Sequence, residues 1–152
     1  MREVNTAAGV YATNLHLEDA LHQLRRRHVG TEHLSIVGRG NPSGGRVARL
    51  TGRRLELDSP LCGAFWVSGP LADSIEASLR EPGSLNGHGE LAVGLLRIGV
   101  SESDTREYER ALAHGESLLF VFGSLEEISR TLEVLSDGAR AVRLHVDCRW
   151  AA

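Results

Sequence analysis

Residues 117–146 read SLLFVFGSLEEISRTLEVLSDGARAVRLHV, a strand, a helix and a second strand in one unbroken run. Leu118-Leu119-Phe120-Val121-Phe122 is almost continuously apolar and of strand length, the pattern of a strand covered on both faces. Ser124 followed by Glu127 makes a capping box. Leu125, Ile128, Leu132 and Leu135 then recur at helical spacing, Gly138 supplies a stop, and Ala141 to Val146 alternates as a strand does.

The same grammar opens the chain. Gly9-Val10-Tyr11-Ala12-Thr13 is a short extended run, Asn14 is a candidate N-cap, and Leu17, Ala20, Leu21 and Leu24 form one apolar stripe. Gly30 reads as the stop, and Leu34-Ser35-Ile36-Val37 as the returning strand. Two strand–helix–strand units predict an α+β protein with a ferredoxin-like split βαβ sheet, four antiparallel strands and both helices on one face. Between the units lies an inserted middle segment. Arg53 to Leu57 and Ala64 to Val67 are strands around Asp58-Ser59-Pro60, and helices are expected at Leu71 to Leu79, Gly89 to Ile98 and Glu102 to Ala113. The stretch Glu81 to Gly87 is a loop and not a boundary, because too little chain lies on either side for two cores, so residues 1–152 are expected to form a single domain.

Composition excludes several classes. With 41% hydrophobic and 24% charged residues the chain is neither disordered nor collagen-like. No apolar run approaches the roughly 18 residues of a membrane helix. Met1 to Asn5 lacks a signal-peptide core, so a cytoplasmic location without a membrane partner is expected. Cys62 and Cys148 read as reduced thiols. The 17 basic residues are all arginine, which excludes in-chain Schiff-base chemistry and a lysine-dependent phosphate loop. Charge is uneven: Arg25, Arg26, Arg27, Arg39, Arg46, Arg49, Arg53 and Arg54 against Glu32 give that segment +7, leaving −10 for the rest of a chain of net −3. Such asymmetry steers anions or marks a solvated face paired with acids elsewhere.

Gly99-Val100-Ser101-Glu102-Ser103-Asp104, continuing through Tyr108-Glu109, Leu112, His114-Gly115-Glu116 and Leu118 to Val121, resembles a bacterial general-stress or heat-induced stress-protein domain. In that family a helix carrying a tyrosine–glutamate pair leads through a glycine turn into a hydrophobic strand. Gly69-Pro70-Leu71-Ala72 is similar to the element that precedes this helix, and the first strand–helix–strand unit also fits. The long glycine- and alanine-rich middle of many members is missing. The resemblance implies an accessory role in stress response and carries over no catalytic residues.

Motifs for chemistry are sparse. The loop from Gly38 to Gly45 follows a strand, but Gly38, Gly40 and Gly44 are spaced one residue too wide for a dinucleotide turn. Arg46-Val47 stands where a nucleotide loop needs lysine and a hydroxyl. His16, His22, His28 and His33 are spaced by five or six residues, so no pair shares a helical face, and no metal or other cofactor is expected. A site assembled from His88, His114 and Cys148 has no motif behind it. Ser68-Gly69-Pro70 lacks the glycine that a nucleophile elbow places before its serine. Arg143, His145 and Asp147 alternate with Val142, Leu144 and Val146, giving a polar sheet face or a His–Asp dyad.

Three functions follow as expectations. The first is a non-enzymatic accessory protein acting by self-association or ligand sensing. The second is a module binding an anionic ligand or an RNA backbone through residues 25–54, with Arg46, Arg49, Arg53, Gly44 and Gly45 as contacts, though that segment lacks the interleaved aromatics of base stacking. The third is an enzyme built near His145 and Asp147.

Overall fold

The computed structural model of the protein describes residues 2–39, 54–59, 62–81 and 89–150. In chain order the elements are β1 (Arg2–Tyr11), α1 (Asn14–Arg26), a 3-10 turn (Thr31–His33), β2 (Leu34–Arg39), β3 (Arg54–Ser59), β4 (Gly63–Ser68), α2 (Pro70–Leu79), α3 (Glu90–Ile98), α4 (Glu102–Ala113), β5 (Ser117–Gly123), α5 (Leu125–Gly138) and β6 (Ala141–Trp150).

The six strands form one antiparallel sheet in the order β3-β4-β2-β5-β1-β6. Each terminal unit is split by a strand of the other: β5 lies between β1 and β2, and β1 lies between β5 and β6. This is the expected α+β arrangement, compatible with a ferredoxin-like fold. The inserted β3–β4 hairpin extends the sheet beyond β2.

β5 is buried along its whole length, as its apolar run dictates. Alternate side chains serve two cores. Leu119 and Val121 face Leu17, Leu21, Leu24, Ile128 and Leu135 of α1 and α5. Leu118, Phe120 and Phe122 face the other side, with Leu71, Ile75, Leu91, Leu95 and Leu112 from α2, α3 and α4. The two terminal helices therefore share one face, and the inserted helices cover the other. Each fully buried leucine stabilises the fold by about 1.5–3 kcal/mol relative to exposure.

Several local readings are corrected. β1 starts at Arg2 rather than Gly9. The N-cap of α1 is Thr13, whose hydroxyl accepts from the His16 amide at 3.3 Å, and Asn14 is already helical. Gly38 lies inside β2 and not in a loop: it pairs with Trp66, and a Cβ there would sit 2.6 Å from the indole, so the missing side chain makes room for the ring. Leu125 is 54% exposed and leaves the stripe, whereas Leu135 is 0% exposed. Ser124 caps α5 as expected: its Oγ accepts from the Glu127 amide at 3.2 Å, and the Glu127 carboxylate reaches back to the Ser124 hydroxyl.

Candidate functional site

The His145 region is a packed polar cluster. His145, on β6, is 7% exposed, and Tyr108 of α4 is 1% exposed. Burial pushes the Tyr108 phenol far above its usual range, with Asp104 adding to the effect, and the phenol is hydrogen-bonded to His145 Nε2 at 2.5 Å. Burial also lowers the His145 pKa, against the pull of Asp104. The other ring nitrogen, Nδ1, lies 3.7 Å from Asp104 Oδ2. Arg143 donates to Asp104 at 2.8 Å and pairs with Glu107, so its charge is compensated. Together these contacts fasten α4 to β6.

The acid beside His145 thus comes from α4. On β6 the register shifts: Thr6 pairs with His145 and Val4 with Cys148, a bulge that puts two β6 residues, Val146 and Asp147, against Asn5 of β1. Cys148, not Asp147, therefore follows His145 on that face, and Cys148 is fully buried. The Asp147 side chain lies outside the described residues.

A cleft of about 470 Å³ opens on the opposite face of the sheet, between the end of α1, the 3-10 turn and the first half of α5. Its floor is Val121 of β5 with Val29, and Phe122, whose side chain faces the other core, contributes its backbone carbonyl. Arg27 and Arg130 enter from separate helix segments, His28 and His33 stand on the connecting loop, and Glu32 and Glu127 complete the charged lining.

Local folding explains these positions. The last turn of α1 closes with the Val29 amide donating to the Leu24 carbonyl at 3.0 Å. His28 takes the left-handed conformation that this closure needs, at φ 62°, where glycine is the usual residue. His33 Nδ1–H donates to the Phe122 carbonyl at 3.2 Å, which ties the loop to the end of β5. Arg27 donates to the Arg130 carbonyl at 3.3 Å and reaches across α5. The acids paired with these arginines are exposed: Glu133 lies 3.7 Å from Arg27 and is 82% exposed, and Glu126 lies 3.0 Å from Arg130 and is 81% exposed. Such pairs contribute about 0–1 kcal/mol and yield readily to a ligand.

A shallower depression of about 830 Å³ lies over α4 and β6. Two of its three arginines are already engaged, Arg140 by a two-pronged contact with Glu116 and Arg143 by Asp104 and Glu107.

Of the residues expected to bind an anion, Arg46, Arg49, Arg53, Gly44 and Gly45 lie outside the described residues, as does His88. Arg39 donates to the Ala113 carbonyl at 2.6 Å. Arg27 is the arginine of the basic segment that the structure brings to the cleft. Arg130 was missed, because nothing along the sequence ties α5 to the end of α1. His28 carried a signal: the chain turns there without glycine. Among the described residues no three histidine, cysteine, aspartate or glutamate side chains form a metal-holding group. No helix among them is long and apolar enough to cross a membrane. Compared with protein-family models, curated proteins and solved structures, the chain matches none.

Proposed function

We propose that this chain is a non-enzymatic accessory protein, cytoplasmic and of stress-response type, that senses a small ligand in the cleft between the end of α1 and α5. The observation that carries this reading is the cleft itself: an apolar floor under charged groups from different elements, in the size range of small-molecule sites. The stress setting rests on the likeness of Gly69 to Ala72 and Gly99 to Val121 to stress-protein domains. The closed Tyr108–His145 pair argues against the enzyme reading, because both side chains are spent on each other.

The test is a thermal-shift screen of amino acids, nucleotides, organic acids and phosphorylated sugars on the parent and on Arg130→Glu, a surface change that spares both cores. At least one compound raises the Tm of the parent and not of the variant. No hit, or hits that all persist in Arg130→Glu, would overturn the assignment.

Self-association is a second reading with its own observation. β6 is an outer strand of the sheet, and Leu144 and Val146 on it are 42% and 58% exposed. An outer strand with apolar side chains is a template for a second copy. Sedimentation would then show a dimer that Val146→Lys disperses; a monomer at all concentrations ends this reading.

A further inference from the structure

We infer that the cleft takes a small zwitterion, a molecule with a carboxylate and an ammonium group around an apolar body, as a free amino acid has. The inference rests on the ligand-binding reading above and concerns the chemistry of that site.

The lining carries both signs of charge. Arg27 and Arg130 supply two guanidiniums, and Glu32 and Glu127 two carboxylates. A simple oxyanion would use the arginines and meet the repulsion of both glutamates; a simple cation would face the reverse. A zwitterion uses each set. Guanidinium is suited to a carboxylate through its two-pronged geometry.

The charged groups are available at low cost. Arg27 and Arg130, which line the cleft, are paired only with highly exposed glutamates, Glu133 and Glu126. Glu127 takes the Ser124 hydroxyl on Oε1 at 3.1 Å, a bond that fixes the carboxylate in place at the start of α5. Beneath them Val121, 2% exposed, and Val29 give an apolar floor for an aliphatic or aromatic side chain. The volume of about 470 Å³ exceeds one amino acid, so bound water or a second residue fits beside it.

Calorimetric titration with leucine, leucinamide, N-acetyl-leucine and inorganic phosphate tests this on the full chain. Leucine binds, and amidation or acetylation each weakens binding by about tenfold or more, the loss of one charge-assisted contact. In the double variant Arg27→Gln/Arg130→Gln the difference between leucine and leucinamide disappears, while the difference between leucine and N-acetyl-leucine stays. Equal binding of N-acetyl-leucine, or binding of phosphate without leucine, makes the cleft an anion site and overturns the inference. Equal binding of leucinamide overturns it in favour of a cation site. If none of the four binds while the thermal-shift screen finds a cleft ligand, the zwitterion fails and the binding site stands. If the screen is also empty, both fail.

Discussion

His145 is neutral in the folded protein because burial penalises the imidazolium more than Asp104, 3.7 Å away, favours it. Its folded pKa lies below the unfolded value of about 6.5. The stability this gives is therefore present above that value and is lost as pH falls through it toward the folded pKa. Denaturant midpoints should fall between pH 8 and pH 5, and His145→Gln, which keeps an acceptor for Tyr108, should flatten that fall. A variant as acid-sensitive as the parent would place the titration elsewhere. His28 makes the opposite case. Its φ of 62° costs about 1–2 kcal/mol for an ordinary residue, and glycine relieves it while losing unfolded-state order. His28→Gly should stabilise by about 0.5–1 kcal/mol in urea denaturation. Lost stability would mean that the imidazole holds the loop.

Among the elements, α2 and α5 give the sharpest contrasts. Gly69, just before α2, has φ 78°, and a Cβ there would lie 2.0 Å from the Leu34 carbonyl oxygen. Backbone cannot give way as a side chain can, so Gly69→Ala should destabilise by about 2 kcal/mol or more, read from the denaturant midpoint. On α5, Leu135 is 0% exposed and Leu125 54%, although both sit on the apolar spacing. Leu135→Ala should cost about 2–5 kcal/mol and Leu125→Ala a few tenths. Equal midpoints would mean the helix is rotated about its axis.

Across the whole molecule, the two thiols report on opening. Cys62 and Cys148 are 1% and 0% exposed and not joined in a disulfide, and burial, with Glu109 beside it, pushes the Cys62 thiol up. Neither should react with an aromatic disulfide reagent faster than the protein unfolds. Reaction of both with the rate of global unfolding is expected; early reaction of one would identify the edge of the sheet, β3–β4 or β6, that opens alone. The sequence by itself determined the element types, the split sheet and the common face of α1 and α5. Those follow from periodicity and caps, which act over a few residues: the run at Leu118 to Phe122, the stripe at Leu17 to Leu24, the box at Ser124 and Glu127. Tertiary structure alone decided what stands beside what. Arg27 meets Arg130 across 103 positions, Tyr108 meets His145 across 37, and the bulge replaces Asp147 by Cys148 on the face of His145. No local period encodes such pairings; they arise because the sheet folds distant segments against one another and leaves the cleft where two helices and a loop fail to close over β5.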